Sequence, residues 1–400
     1  MLTYADALAR LAALDLKPAT ERIPLTEAAG RTTAEDITLA GDQPPFDRAT
    51  MDGYALCLKA DTNAYAVKGV VYAGSSYPGT LQPGEAVRIM TGAPAPAGTT
   101  VVPHELSDRG EQIVVITDAK ARAPGRNIAW RGEDGKAGTV LVSAGTRLTP
   151  LVLSVAAMAG ATTVTVARAP RLALVTTGDE VGGAGPAGII DSNGPFLTGF
   201  AASLGLSAYR VHAVDQEGLL RLTLSSAMDR AEVIVTTGGV SAGDKDLIPV
   251  VAAELGFSTV FHHVAMQPGK PILVMRKAER FLVGLPGNPV SVVATAHLFL
   301  LPLLHRLLGA PLPTWYELPL TAPAANRGQR QQFLPARLTP GGFAPIPWNG
   351  SGDLIAAASG DGLIDLPVGT TLNAGGIARF LPYVGAHPGA TGRLPERPRR

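Results

Sequence analysis

Three stretches in the middle of the chain combine glycines, small hydroxyls and carboxylates in a way that suits anion chemistry. "TTGDE" ends on Asp179 and Glu180, "TTGGVSAGDKD" runs from Thr236 to Asp246, and "GLPGNPVS" runs from Gly284 to Ser291. Gly238 and Gly239 let the backbone approach an anion and turn amide N–H groups toward it. Ser241 and Gly243 carry that loop toward a helix whose N-terminus favours negative charge. Asp244 and Asp246 would repel a bare phosphate. They either cap the following helix or hold a divalent cation, since hard cations take carboxylate oxygens. For Asp246 the cation is the better reading; for Asp244 the two are even. A fourth stretch, "MQPGKPI" from Met266 to Ile272, sets Lys270 between a glycine and a proline. Such a held lysine suits an anion ligand better than bulk solvent. Arg330 in "RGQRQQF" and Ser351 in "WNGSGDL", taken alone, read as plain surface. Near the N-terminus, "PPFDRATMDGYAL" packs Asp47, Arg48, Thr50, Asp52 and Tyr54 into a segment with no helical or strand period. By itself it fits a surface loop as well as a site.

The surrounding elements place the central stretches. From residue 170, the apolar runs "RLALVTTGDE", "SAYRVHAVD", "EVIVTTGG" and "RFLVGLPG" read as strands. They alternate with helical patterns in "PFLTGFAASLG", "EGLLRLTLSSAMDRA", "KDLIPVVAAELG" and "PVSVVATAHLFLLPLLHRLLG". Such alternation predicts βαβ units around a mainly parallel sheet. Ligands of open parallel sheets bind outside the C-terminal strand ends, which is where the three loops fall. Residues 1–40 carry helical patterns, in "YADALARLAAL" and then in "PLTEAAGRTTAEDI". Residues 65–145 are short β-rich runs between glycine turns. A helix follows, with Thr149 as N-cap, Pro150 as first helical residue and Gly160 as its stop. The proline cluster "GAPLPTWYELPL" reads as a linker. Residues 316–384 return to short strands, and the polar tail 386–400 is expected to be disordered.

Composition narrows the function classes. At 400 residues and 46% hydrophobic content the chain can hold several domain cores. A net charge of +1 excludes the large basic excess of a nucleic-acid or membrane-surface binder. One cysteine, Cys57, excludes an internal disulfide and reads as a small buried residue. The N-terminus, with Asp6 and Arg10 on a helical pattern, does not read as a signal peptide. Pro302, His297 and His305 make the apolar run "VVATAHLFLLPLL" a buried helix rather than a membrane span. The expected location is the cytoplasm.

Eight motifs in this chain, "FDRATMDGYAL", "IMTGAPAPAGTTVVPHE", "RGEDGKAG", "TTGDE", "DSNG", "TTGGVSAGDKD", "QPGKP" and "GLPGNPVS", stand in the order and spacing of one family. The chain resembles the molybdopterin molybdenumtransferases, the MoeA-type enzymes whose animal counterpart is the gephyrin E-domain. The match covers roughly residues 1–385. It implies an enzyme that inserts molybdenum from molybdate into adenylylated molybdopterin, uses Mg²⁺ and releases AMP. It also implies a multidomain α/β plus β fold. In that scheme residues 1–43 plus 139–169 form a split helical/β dimerisation domain, and 44–138 an inserted β-rich domain. Residues 170–309 form the α/β three-layer, molybdopterin-binding domain, and 314–385 a small C-terminal β-barrel. The implied assembly is a homodimer with shared active sites, in transient contact with molybdopterin adenylyltransferase and with molybdoenzyme maturation factors.

Carried over motif by motif, the resemblance puts Asp52, Thr91 and Asp134 on the inserted-domain side of the cleft. Glu180, Asp215, Ser241 and Asp246 face them, and Glu180, Asp215 and Asp246 are the implied metal ligands. Lys270, Arg330 and Ser351 match positions tied to the oxyanion, and Pro286 and Pro289 shape the third loop. The chain departs from the pattern at Gln267, where many members carry a second lysine, and at Pro335, where an arginine is common. Two other functions keep part of these features. A molybdopterin adenylyltransferase would need ATP and lacks the flanking β-domains. A non-catalytic scaffold of the gephyrin kind would leave the polar cleft dispensable.

Overall fold

The computed structural model describes residues 1–385 apart from 179–180, 183–187, 215 and 241–246. The predicted Glu180, Asp215, Ser241 and Asp246, together with Asp179, Asp244 and the tail, lie outside the described residues. The fold class is the one expected, a multidomain chain of α/β and β parts.

The central domain holds six strands in the order Ala208–Ala213, Leu172–Thr177, Val233–Thr237, Arg280–Leu285, Leu273–Lys277 and Ser258–His262. The first four run parallel, while Leu273–Lys277 lies antiparallel to both its neighbours. Leu172–Thr177 and Val233–Thr237 are buried along their whole length, which is why their sequences are continuous apolar runs without alternation. One sheet face packs Leu174, Val235 and Val283 against Phe200 and Leu298. The other packs Val175, Ile234 and Leu282 against Leu224 and Val251. The result is three layers. The antiparallel hairpin of Leu273–Lys277 and Arg280–Leu285 is an addition to the sequence reading.

The long apolar helix is buried as expected. It runs as Pro289–Thr295, a π-turn over Ala296–Leu300, and Leu301–Leu307. Pro302 has no N–H for the carbonyl of Leu298, so the regular ladder breaks there, and the π-turn precedes the break. The helix has the length and apolarity to cross a membrane, but most of its surface is covered by the protein.

In the C-terminal region Gln331–Thr339, Gly362–Leu366, Ile377–Pro382 and Tyr316–Pro319 form consecutive sheet neighbours, and Gly342–Pro345 pairs back on Gln331–Thr339. Leu320 bridges Phe343 and draws the two ends of the sheet together. Its far edge is extended by Met266–Gln267, a short strand contributed by the α/β region, in parallel register with Gln331–Gln332. The N-terminal segments pair across a long insertion, Thr20–Pro24 with Thr163–Ala167 and Ile37–Thr38 with Val140–Val142. The insertion is a five-stranded sheet in the order Thr100–Pro103, Gly53–Leu56, Glu85–Ile89, Ala64–Val71 and Ile113–Val115. The helix Pro150–Met158 starts as its sequence dictates, with the Thr149 hydroxyl accepting from the Val152 amide and Pro150 in the first turn.

Two expectations change. The pattern in "PLTEAAGRTTAEDI" is not a helix. Leu25–Glu27 makes one 3₁₀ turn, Gly30 takes φ +75°, and Thr32 and Thr33 bridge Arg147 and Val166. Pairing across the insertion overrides local helix propensity there. The stretch "PPFDRATMDGYAL" does contain regular structure, because Gly53–Leu56 is an inner strand between Glu85–Ile89 and Thr100–Pro103. All four of its residues are buried, so no alternation shows in the sequence. The helix expected in the first segment forms as Tyr4–Ala12, opened by a Thr3–Asp6 capping box, and buries Tyr4 edge-on to Phe299 and Phe333. Its apolar face therefore belongs to the core of the α/β and C-terminal regions.

Candidate active site

A cavity of about 570 Å³ opens at the C-terminal ends of Leu172–Thr177, Val233–Thr237 and Arg280–Leu285. Leu172–Thr177 is followed along the chain by its neighbour on one side, and Val233–Thr237 lies on its other side. The cavity therefore sits at the topological switch point of the sheet. Thr177, Thr237, Gly238, Gly239, Pro286 and Asn288 are among its walls.

The two glycines have the backbone conformation that their sequence suggests. Gly238 and Gly239 take φ of +88° and +65°, which L side chains rarely adopt. A Cβ on Gly238 would lie 2.9 Å from the Thr177 hydroxyl, so this close approach also requires glycine. The Gly238 amide donates to the Leu285 carbonyl at 3.0 Å and ties the loop to the "GLPGNPVS" turn. In sequence, Glu180, Asp215 and Asp246 follow Leu172–Thr177, Ala208–Ala213 and Val233–Thr237, three strands that are neighbours in the sheet.

Of the predicted residues in the third loop and the C-terminal region, the two prolines are among the described cavity walls, while Gln267, Lys270, Arg330 and Ser351 are not. Pro286 and Pro289 line the cavity. Ser351 reaches the loop from the C-terminal domain: its hydroxyl accepts from Asn288 Nδ2 at 2.9 Å, and its carbonyl accepts from the Val290 amide at 2.9 Å. Lys270 is exposed beside Pro271, which is itself a wall residue. Arg330 donates to the Met266 carbonyl at 3.3 Å, next to Gln267, whose Oε1 accepts from Gln332 Nε2 at 3.5 Å. Gln267, Lys270 and Arg330 thus share one edge, held by the parallel pairing of Met266–Gln267 with Gln331–Gln332.

Asp52, Thr91 and Asp134 stand apart from that cavity, whose described walls come from residues 176–289 alone. Asp52 Oδ1 accepts from both the amide and the hydroxyl of Thr91, at 2.7 and 2.8 Å. These bonds, the amide's first, hold the Asp52 carboxyl below the ordinary aspartate range. Asp52 is placed there by its neighbour. A Cβ on Gly53 would fall 1.9 Å from the Val102 carbonyl oxygen, so only glycine lets the strand pass. Asp134 is exposed on the turn after Trp130, with its amide on the Gln43 carbonyl at 2.9 Å.

Several residues were absent from the sequence reading. Asp191 accepts from the Gly194 amide and from Arg210, at 2.8 and 2.7 Å. Asn193 donates to the Gly287 carbonyl at 2.8 Å. Both lie in the quoted "DSNG", and Asn288 lies in the quoted "GLPGNPVS"; their motifs were visible but their partners were not. His104 packs edge-on to Tyr54 beside Asp52, and burial first, then Arg88 and Arg109, pull its pKa down. It lies in the quoted "IMTGAPAPAGTTVVPHE", which left its packing partners hidden. Among the described residues there is no group of three or more His, Cys, Asp or Glu able to hold a metal. Cys57 is half-buried against the core of the inserted sheet, as a small apolar residue would be.

Comparison with known proteins gives this geometry a family. The MoeA N-terminal region (domain I and II) matches residues 2–160, a probable molybdopterin binding domain matches 173–306, and the MoeA C-terminal region (domain IV) matches 317–383. The molybdopterin molybdenumtransferase of Staphylococcus epidermidis is 31% identical over 389 residues, 92% of each chain. Molybdopterin molybdenumtransferase 2 of Mycobacterium tuberculosis is 34% identical over 370 residues, covering 86% of this chain and 90% of its own. A crystal structure of the molybdopterin biosynthesis MoeA protein from Pyrococcus horikoshii OT3 superposes with a TM-score of 0.81 at 26% identity, over 96% of this chain and all of that one. With all three segments matched in order and relatives above 30% identity along most of its length, the chain belongs to the MoeA family of molybdopterin molybdenumtransferases.

Proposed function

We propose that the protein inserts molybdenum from molybdate into adenylylated molybdopterin and releases AMP in a Mg²⁺-dependent step. The observation that carries this reading is the cavity at the switch point, walled by positive-φ glycines, with Lys270 exposed next to the wall residue Pro271 and Arg330 bonded to the nearby Met266 carbonyl. Molybdate and the phosphates of the substrate are anions, and each needs donors and cations around it. Lys270, Arg330 and Ser351 supply them from the edge shared with the C-terminal domain. From the sheet side, Gly239 offers an amide to an anion, the Gly238 amide being already bonded to the Leu285 carbonyl. Asp52, kept ionised by Thr91, orients water or a cationic group from the other side of the cleft. The thiolates that capture molybdenum belong to the substrate, so no protein nucleophile is invoked.

The donor set suits Mg²⁺. Glu180, Asp215 and Asp246 offer hard oxygens after three neighbouring strand ends, and would hold the ion there. An ion held there would supply positive charge to balance the leaving phosphate.

The same proposal makes the protein a cytoplasmic homodimer with shared active sites. It is supported by the apolar helix Pro150–Met158, which leaves Leu151 76% exposed and Met158 48% exposed. It is also supported by the separation of Asp52, Thr91 and Asp134 from the described cavity walls. Molybdopterin adenylyltransferase, as the source of the substrate, and molybdoenzyme maturation factors, as recipients of the product, are its transient contacts.

The test supplies purified protein with adenylylated molybdopterin, Mg²⁺ and molybdate, and follows AMP. Molybdate-dependent AMP release is the expected result. Adenylylation that requires ATP would make the protein an adenylyltransferase, and inertness would leave a scaffold.

A further inference from the structure

The oxygen of Ser351 and the amide nitrogen of Asn288 lie 2.9 Å apart, across the junction of the C-terminal and α/β domains. A serine hydroxyl has one proton to give and two lone pairs to offer. In this pair Asn288 is the donor, so Ser351 accepts and its own O–H is left to point elsewhere. Ser351 has little freedom to turn away, because its carbonyl is held by the Val290 amide at 2.9 Å. Asn288 lines the cavity, and a third bond supports its loop, from Asn193 Nδ2 to the Gly287 carbonyl at 2.8 Å.

We infer that Asn288 is a positioning residue: it fixes Ser351 as acceptor on one side, so that the Ser351 O–H is presented as a donor to a tetrahedral oxyanion at the cavity edge. The inference rests on the reading of Ser351 as an oxyanion contact. Three features agree with the assignment. Asn288 precedes Pro289, which starts the buried helix, so its backbone is anchored by a rigid element. Its side chain makes no capping bond to that helix, which leaves the amide for Ser351. The bond joins two domains, so the hydroxyl is aimed only when the C-terminal domain is docked on the loop.

The experiment titrates molybdate into the purified full-length protein by calorimetry, with thermal unfolding as a check on the fold. Ser351→Ala removes the donor, and the dissociation constant is expected to rise about tenfold, as for loss of one bond to a charged group. Asn288→Asp replaces a donor by an acceptor of the same shape, so Ser351 spends its proton on the new carboxylate, and binding weakens by a similar factor. Asn288→Leu removes the donor without adding charge and gives a smaller loss. The decisive measurement is the coupling. In the Ser351→Ala background, Asn288→Leu should change binding less than about twofold. Equal losses with and without the Ser351 hydroxyl would overturn the positioning role while leaving Ser351 as an anion contact. No change on Ser351→Ala alone would instead remove Ser351 from the oxyanion site, and the inference with it.

Discussion

Asp52 and Thr91, 39 residues apart, meet through one carboxylate oxygen that takes two hydrogen bonds, 2.7 Å from the Thr91 amide and 2.8 Å from its hydroxyl. The amide bond is the larger cause of the lowered Asp52 pKa and survives any side-chain change, but the hydroxyl can be removed. Thr91→Val should therefore raise the Asp52 pKa toward its ordinary value. An activity that needs the ionised carboxylate then loses its acid limb at a higher pH than wild type. Turnover at neutral pH should fall about fivefold through lost orientation. AMP release followed across pH checks this, and superimposable acid limbs would rule out a working role for the pair.

Gly238→Ala should destabilise the protein and weaken substrate binding together. An L residue at φ +88° costs about 1–2 kcal/mol. The added Cβ would also press on the Thr177 hydroxyl at 2.9 Å and on its carbonyl oxygen at 3.2 Å. That hydroxyl is held by its bond to the Thr237 carbonyl at 3.1 Å and cannot swing away freely. A total near 2–3 kcal/mol is expected, read from urea unfolding. A variant as stable as wild type would mean that the loop relaxes without strain.

Gln267→Lys should tighten molybdate binding modestly. One new charge about 4 Å from a dianion is worth several kcal/mol at an effective dielectric of about 20. Desolvation and side-chain ordering offset much of that. Arg330, bonded to the adjacent Met266 carbonyl, adds like-charge repulsion. A net gain near 1 kcal/mol remains, about a fivefold lower half-saturating molybdate concentration. An unchanged half-saturation point in a folded, active variant would place Gln267 away from the oxyanion.

His297 should make stability fall with pH. It is fully buried among Phe196, Phe200 and Tyr383, with Nδ1 bonded to the Val293 carbonyl and Nε2 accepting from the Val384 amide. Burial brings its pKa down from 6.5 to about 4. Above pH 6.5 the side chain is neutral in both the folded and unfolded states, so its contribution does not vary. Between 6.5 and 4 the unfolded chain binds a proton that the folded one refuses, and stability drops by up to about 1.4 kcal/mol per pH unit. Comparing urea midpoints of wild type and His297→Gln at pH 7 and pH 5 isolates this slope. Equal pH dependence in the two proteins would show that His297 takes up its proton while folded.

Shared active sites predict complementation. Asp52→Asn and Asp246→Asn subunits, each inactive alone, should recover activity on mixing. One cleft of every mixed dimer then carries neither change, which gives up to about half of wild-type turnover per mixed dimer. Subunit exchange without recovery would mean that each subunit holds a complete site.

Local sequence alone determined much of this protein. Unbroken apolar runs marked Leu172–Thr177, Val233–Thr237 and Arg280–Leu285 as buried strands, because a strand covered on both faces has no polar side to display. Thr149 and Pro150 marked a helix start, and the paired glycines after Val233–Thr237 marked a backbone able to approach an anion. These signals rest on φ preference, capping and burial within a few residues of the chain. Tertiary structure decided the rest. Gly53–Leu56 became a strand only through partners 30 to 50 residues away, and the segment after Pro24 gave up its helical pattern for pairing across the insertion. Met266–Gln267 joined the sheet of another domain, Tyr4 found Phe299 and Phe333, and Asn288 found Ser351. In each case the deciding energy comes from a group distant in sequence. Neither residue type nor spacing encodes which distant group will stand opposite, so it is settled only when the sheets and helices pack.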